Sequence, residues 1–236
     1  MGATYRYTEI DMKRHFIVCA CAVGLMSTLP ACAGSLTYSA EPIHAQVIDA
    51  DTQQPIKGVV VTANWQLEQG TAGGNIQAGQ LMVMEAVTDN EGKFSFPAWG
   101  PKTARESFLV NDDPQLLLFK SGYEYRRLNN PYSSDRELRL RPVRKSEWNG
   151  RTIVLKPFKG TMREYVKHLS FLMTGLRFIE DDCQWKKTTR MLMALQKQAD
   201  AFKASDTVTA IYSVDYMPTD EKKCGSVKEY FRRYQQ

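Results

Sequence analysis

The chain has little histidine, and this shortage limits the catalytic chemistry that its sequence can support. Three histidines occur in 236 residues, and His15 lies in an N-terminal segment that we expect to be removed. His44 and His168 stand far apart, and neither begins a His-Glu-x-x-His or His-x-x-Glu motif. Catalytic zinc needs three protein ligands and an open position, so we predict no metal site and no cofactor. Both later histidines are interpreted as structural.

Two further absences point away from an enzyme and from a nucleic-acid-binding protein. No G-x-S-x-G segment is present, so the sequence offers no nucleophile elbow for a serine hydrolase. Thirty-one basic residues against 26 acidic residues give a net charge of +5, and both signs are scattered along the chain. Nucleic-acid-binding domains instead concentrate their basic residues in a patch or stripe. We predict that the chain is not an enzyme and binds no nucleic acid.

The sequence also lacks a hydrophobic run of the length that a permanent transmembrane helix usually has, so a transmembrane anchor is the less favoured interpretation. The longest apolar stretch, Phe16 to Leu29, is below the roughly 20 residues that such a helix needs. The basic residues Lys13 and Arg14 precede this stretch, which is typical of a secretory signal peptide. We therefore predict a signal peptide over residues 1–33, with translation expected to start at Met12.

The end of this signal fits two processing patterns. Ala31-Cys32-Ala33 is an A-x-A site, and its cleavage would leave a soluble protein starting at Gly34. Leu29-Pro30-Ala31-Cys32 instead resembles a bacterial lipobox, in which Cys32 receives the lipid. We favour the lipobox and expect an exported, periplasmic protein that a lipid on Cys32 anchors to the membrane.

Cysteine is scarce in the part of the chain that remains after processing. Of five cysteines, only Cys183 and Cys224 lie beyond residue 33. An even pair in an oxidising compartment favours a disulfide. Two buried free thiols are the alternative.

The remaining chain changes its hydrophobic period near residue 159. From about 42 to 157, short alternating or β-branched runs such as "IHAQVIDA" and "GVVVTANW" are separated by turn residues, and a glycine-rich stretch from Gly70 to Gly79 reads as flexible. From 160 to 236, apolar residues recur every three or four positions, which predicts amphipathic helices. The second of these helices is expected to begin near Asp182. The pattern thus predicts a mainly β domain followed by an α-helical C-terminal segment.

The segment "VIDADTQQPIKGVVVTA", with "VTDNEGKFSF" farther on, resembles the carboxypeptidase regulatory-like, or transthyretin-like, β-sandwich family. The residues that match its pattern are Val47, Asp49, Thr52, Pro55, Ile56 and Gly58 in the first segment, and Thr88, Asp89, Gly92 and Phe94 in the second. The resemblance implies a seven-stranded antiparallel transthyretin-like sandwich over residues 42–157. In metallocarboxypeptidases of this kind the zinc belongs to a separate catalytic domain, so the resemblance implies no catalytic residues here.

Two acidic segments have both a metal-binding and a structural interpretation. Asp89 and Glu91 match the first two positions of a calcium loop, but Lys93 stands where a third oxygen ligand is needed. We predict a tight hairpin turn, with Gly92 at positive φ and with Phe94 and Phe96 pointing inward. In the run Glu180 to Asp182, capping of the second helix is favoured over cation binding.

Arginines suggest one binding surface. Arg126, Arg127, Arg139 and Arg141 are candidates for a cationic patch that binds phosphate or carboxylate groups. The structural alternative is that they are the solvated positions of strands.

These observations favour a non-catalytic binding or interaction module of the cell envelope, with an envelope protein or a glycan as its partner. A carbohydrate-binding accessory protein is the first alternative, for which Trp65, Trp99 and Tyr132 are candidate contact residues. A small periplasmic hydrolase is the less favoured alternative, and no catalytic residue supports it.

Overall fold

A computed structural model describes residues 36–109, 113–130, 143–180, 183–204, 214, 217 and 220–234. Residues 34–236 form one compact unit. The described residues contain eleven strands, which are β1 (Leu36–Ala40), β2 (Ile43–Asp49), β3 (Val60–Thr71), β4 (Gly74–Val87), β5 (Lys93–Phe96), β6 (Trp99–Ala104), β7 (Phe108–Leu109), β8 (Gln115–Phe119), β9 (Arg126–Leu128), β10 (Val143–Arg144) and β11 (Thr152–Leu155).

The strands form one large sheet and two small ones. The large sheet has the order β4-β3-β8-β9, with β7 also paired to β3, and the small sheets have the orders β10-β1-β6 and β11-β2-β5. The predicted class, a mainly β sandwich with a helical C-terminal part, is confirmed. Two details differ from the prediction. Strand β1 lies before residue 42, where the domain was expected to start. The sandwich was expected to be antiparallel, but β1 pairs with β10 and β2 pairs with β11 in parallel. Parallel pairing needs a long connection between partners, and the chain of the large sheet supplies it.

The central strands of the large sheet, β8 and the first half of β3, are buried on both faces. Val61, Ala63 and Trp65 of β3 contact the small sheets in one hydrophobic cluster, the inner core. Val60 lies in a second cluster, the helical core, together with Leu117 of β8. A strand covered on both sides has a nearly continuous apolar run, which is how "GVVVTANW" reads.

The composition of the stretch from Gly70 to Gly79 predicted a flexible loop, and this prediction is wrong. The stretch forms the end of a long hairpin, in which β3 and β4 pair out to Thr71 and Gly74. The register shifts between Trp65 and Gln66 and again before Glu68. Backbone pairing between the two strands outweighs the low strand propensity of glycine here.

The described residues of the C-terminal part form four helices and two 3₁₀ turns, which share a hydrophobic cluster with the outer face of the large sheet. They are α1 (Met162–Gly175), the first 3₁₀ turn (Arg177–Glu180), the second 3₁₀ turn (Gln184–Lys187), α2 (Thr189–Lys203), α3 (Glu221–Cys224) and α4 (Val227–Arg232). Thr161 and Glu164 form a capping box at the start of α1. Leu169, Leu172 and Leu195 are fully buried against the sheet.

A disulfide joins Cys183 and Cys224, whose Cα atoms lie 5.4 Å apart. Cys183 directly precedes the second 3₁₀ turn, and Cys224 ends α3. The bond therefore ties the last two helices to the chain that leads into α2, as the cysteine count predicted.

Asp49, one of the residues that carry the family resemblance, organises the turn after β2. Its Oδ1 accepts hydrogen bonds from the amides of Asp51 and Thr52, both at 2.8 Å. Its Oδ2 accepts the Tyr123 hydroxyl at 2.7 Å. The hydrogen bond from the Thr52 amide is the main cause that lowers the pKa of Asp49, and the bond from the Tyr123 hydroxyl is the second. In turn, the Asp49 carboxylate raises the pKa of Tyr123 to about 12. This carboxylate has a structural role.

Asp89 and Gly92 form a structural turn. The Asp89 Oδ1 accepts from the amides of Glu91 and Lys93, both at 2.9 Å. Gly92 has φ +69°, and a Cβ there would lie 2.4 Å from the Val47 carbonyl oxygen, so only glycine fits. The turn is not the predicted hairpin, because β4 pairs with β3 and β5 pairs with β2. It carries the chain from the large sheet to a small one.

Glu85 of β4 caps a helix that is distant in sequence. Its carboxylate accepts from the amides of Arg190 at 2.9 Å and Met191 at 2.7 Å, in the first turn of α2. Thr188, at the N-cap position, makes no side-chain capping bond.

The helix predicted to begin near Asp182 begins instead at Thr189, because a 3₁₀ turn follows Cys183. The cap expected from Asp181 or Asp182 lies outside the described residues, and Glu85 satisfies the free amides.

We predict that E85A lowers the free energy of unfolding by about 1–2 kcal/mol, because two amides lose a charged acceptor. E85Q keeps one acceptor oxygen and should lose less. Urea denaturation measures both variants. E91A is the control, since its carboxylate pairs with Lys93 on the exposed surface and should have little effect. An E85A variant as stable as E91A would contradict the capping role.

Candidate functional site

The predicted arginine patch does not form between the two members that the structure describes. Arg126 lies opposite Leu118 and Arg127 opposite Leu117 on the neighbouring strand. Leu118 belongs to the inner core and Leu117 to the helical core, so adjacent arginines point to opposite faces of the sheet. The Arg126 Nη1 donates to the Val154 carbonyl at 3.1 Å.

Other candidate residues fall outside the described residues. Arg139 and Arg141, Cys32 with its predicted lipid, Tyr132, and Asp181 with Asp182 all lie there. Among the described residues, no helix is long and apolar enough to cross a membrane. Within the same ranges, no three His, Cys, Asp or Glu side chains come together in a way that could hold a metal ion.

The two described tryptophans proposed for carbohydrate contact are core residues. Trp65 is 1% exposed and Trp99 is 7% exposed. Their rings meet edge to face, with centroids 5.3 Å apart. Neither ring is available as a stacking platform for a sugar.

His168 joins α1 to the sheet. Its Nε2 accepts the amide of Tyr125 at 3.0 Å, and its ring packs beside Tyr125 and Phe158. Burial lowers the pKa of His168. The imidazole is therefore held neutral as an acceptor, which supports its structural interpretation. His44 stands on the exposed face of β2.

The structure reveals a polar cleft of about 410 Å³ where the helices stop covering the large sheet. Its floor comes from β3, β4, β8 and β9, and its wall comes from the end of α1 and the first 3₁₀ turn. We call it the amide cleft, because four of its side chains are carboxamides. The lining residues are Asn64, Gln66, Gln77, Gln115, Arg127, Thr174, Gly175, Arg177, Phe178 and Glu180.

The floor of the amide cleft contains one buried acceptor that has no partner among the described residues. Asn64 is only 5% exposed, and its Oδ1 makes no hydrogen bond there. Gln80 pairs with Gln66 across the strands and also has unpartnered side-chain atoms, but it does not line the cleft. Buried polar atoms are nearly always paired in folded proteins, so the Asn64 Oδ1 is an acceptor available to a ligand in the cleft.

Sequence reasoning missed this cleft, although β3 carries a signal for it. Val60, Thr62, Asn64 and Gln66 share one face by the period of two, and this face changes from apolar to amide along the strand. The amides sit in a strand that is otherwise buried and apolar. Only the fold, however, brings Gln77 and Gln115 beside them.

A larger cleft of about 720 Å³ lies between β2, β4, β5 and the start of α2. Two of its charged side chains already have partners within the protein. Glu85 caps α2, and Lys93 pairs with Glu91. None of the residues that line this cleft has a buried polar atom without a partner. The amide cleft is therefore the better candidate for a binding site.

No protein-family model matches the chain, and no curated protein matches it. Among solved structures, 3-chlorocatechol 1,2-dioxygenase from Rhodococcus opacus 1CP is 12% identical, with a TM-score of 0.30 over 53% of this chain and 62% of that one. Catechol 1,2-dioxygenase from Pseudomonas arvilla C-1 is 12% identical, with a TM-score of 0.29 over 52% and 54%. The dioxygenase domain of a dioxygenase carbohydrate-binding protein fusion from Streptomyces sp. SirexAA-E is 14% identical, with a TM-score of 0.25 over 55% and 84%.

These matches contradict the prediction that the chain is not an enzyme, because the matched structures named above are enzymes. That prediction is withdrawn. The chain spans 62% or less of the length of the first two. At TM-scores of 0.30 and below, the likeness carries no reaction, metal or substrate to this chain.

We predict that His168 makes stability depend on pH. Its pKa in the folded protein lies below the usual 6.5, so the unfolded chain binds a proton first as the pH falls. The contribution of neutral His168 to the free energy of unfolding is complete above pH 6.5. It is lost as the pH falls from 6.5 through the lower pKa that His168 has in the folded protein. H168Q can still accept from the Tyr125 amide but does not titrate, so its unfolding free energy should fall less than that of the wild type between pH 7.5 and 5.5.

Urea denaturation at a series of pH values measures this difference. The control is H44Q, whose histidine lies on an exposed strand face, and it should follow the wild-type profile. Parallel profiles for H168Q and the wild type would contradict the prediction.

Proposed function

We propose that this chain is an exported binding protein that holds a hydroxyl-rich, carbohydrate-type ligand in the amide cleft. The observation that carries the proposal is the buried Asn64 Oδ1, which lines the cleft and has no partner among the described residues. An unpaired buried polar atom costs about 1–3 kcal/mol. A ligand that donates a hydrogen bond to this oxygen recovers that free energy on binding.

Carboxamides match the chemistry of sugar hydroxyls. Each Asn or Gln side chain offers two N–H donors and one carbonyl acceptor, and each hydroxyl both donates and accepts. Gln66, Gln77 and Gln115 surround Asn64, and the Gln115 Nε2 is oriented by a 3.1 Å bond to the Asn129 Oδ1. Phe178 supplies an apolar part of the wall.

The volume of the cleft suits a small ligand or one unit of a longer chain. Ligand sites usually measure roughly 300–1,000 Å³ and combine apolar walls with a few oriented polar groups. The amide cleft, at about 410 Å³, lies within this range. This site replaces the tryptophan surface suggested by the sequence, because both described tryptophans are buried.

Export and family membership belong to the same proposal. The basic and apolar N-terminal segment supports export, and the Cys183–Cys224 disulfide suits an oxidising compartment. A lipid anchor on Cys32 rests on the lipobox pattern. The transthyretin-like assignment rests on the signature turns, where Asp49 and Gly92 have structural roles.

The test is saccharide binding by the wild type and by the double variant Q66A/Q115A. Neutral and acidic oligosaccharides on a glycan array identify a probe, and calorimetry with that probe gives its affinity. Two lost hydrogen bonds of about 0.5–1.5 kcal/mol each predict roughly tenfold weaker binding by the double variant.

Q54A is the matched control, since Gln54 is an exposed glutamine in the turn after β2. It should bind like the wild type. An array on which the wild type retains no saccharide, or equal affinities for Q66A/Q115A and Q54A, would overturn the proposed function.

A further inference from the structure

Two arginines give the amide cleft a positive end. Arg127 is an exposed residue of β9, and Arg177 is the exposed first residue of the first 3₁₀ turn. Both line the cleft, although they are 50 positions apart in the chain. Among the described residues, the lining has these two guanidinium groups and one carboxylate, that of Glu180.

Neither arginine is neutralised by the described part of the protein. The ion pairs recorded there involve only lysines, which pair with Glu91, Glu41, Asp51 and Asp200. In the same ranges, neither guanidinium group donates a hydrogen bond. This differs from Arg126 on the opposite face, whose guanidinium donates to a backbone carbonyl.

The stem of Arg127 runs beside the end of α1, and the residue lines the cleft. A Cβ built on Gly175 would lie 3.6 Å from the Arg127 Cδ, so the stem runs beside the last residue of α1. The sheet places the same side chain opposite the buried Leu117. A guanidinium group positioned this way keeps its planar set of donors for a bidentate oxyanion.

From these contacts we infer that the ligand of the amide cleft carries an oxyanion group, and that Arg127 and Arg177 select it from neutral ligands of the same shape. This inference rests on the proposed function, since the amides hold the hydroxyl-bearing part of the ligand. The ligand class is an acidic saccharide. A uronate carboxylate and a sugar phosphate share the chemistry that two guanidinium groups recognise.

A purely structural role for these arginines has a different signature. Cations near the end of a helix stabilise it by interacting with its last carbonyl groups, and both arginines lie near the end of α1. That role affects the stability of the protein. It predicts no difference between charged and neutral ligands.

The test compares tetragalacturonate with its fully methyl-esterified form, which has the same hydroxyl groups but no charge. A tetrasaccharide carrying one phosphate is the third probe. Calorimetry is performed on the wild type, R127Q, R177Q and R126Q, with unfolding free energies measured in parallel. R126Q is the matched control, because Arg126 is the neighbouring arginine on the opposite face.

We expect the wild type to bind an anionic probe at least tenfold more tightly than the ester. R127Q and R177Q should each lose most of this preference for the anionic probe, while their affinity for the ester changes less than threefold. R126Q should keep the wild-type preference. Tighter binding of the phosphate probe than of tetragalacturonate supports the same inference and identifies phosphate as the oxyanion.

Two results would overturn the inference. If the acid, the phosphate and the ester bind equally, the arginines do not select charge, and the proposed function still stands. If R127Q and R177Q only lose stability and retain the wild-type preference, the arginines are structural. Failure of the proposed function is distinguishable, since in that case no saccharide, charged or neutral, binds the wild type.

Discussion

Burial of the central strands of the large sheet on both faces is the constraint on which the rest of the structure depends. The inner face of the sheet packs on the two small sheets through Trp65 and its neighbours. The outer face needs a second layer, because Val60, Leu117 and Phe119 would otherwise be exposed to water. The C-terminal helices supply that layer. They are therefore part of the same hydrophobic structure as the strands, and residues 34–236 form one compact unit.

The attachment of this second layer is polar as well as apolar. Glu85 caps α2 from β4, His168 accepts a backbone hydrogen bond beside β9, and the disulfide fixes the last helices. The helices cover only part of the outer face, however. Where they end, β3 changes from valine and threonine to Asn64 and Gln66, and the amide cleft forms at this boundary. The cleft is thus a consequence of incomplete cover over central strands that are otherwise buried.

Local patterns in the sequence predicted the class of fold but not the position of the site. Alternation and helical periodicity identified the strands, the helical segment and the inward-facing Phe94 and Phe96, because these properties depend on neighbouring residues. The arginine patch was misjudged at Arg126 and Arg127, since consecutive residues of a strand face opposite ways. The cap of α2 and the floor of the cleft could not be predicted, because Glu85 and Gln115 reach their partners only through long-range pairing of strands.

The most direct test of the account is the free energy of unfolding of N64L, measured by urea denaturation without added saccharide. The central claim is that Asn64 serves a ligand and costs stability, because its buried Oδ1 has no partner among the described residues. Leucine has a similar branched shape and no polar atom, so the account predicts that N64L is as stable as the wild type or more stable. A loss of more than about 1 kcal/mol would contradict it, since Asn64 would then contribute to folding rather than to binding.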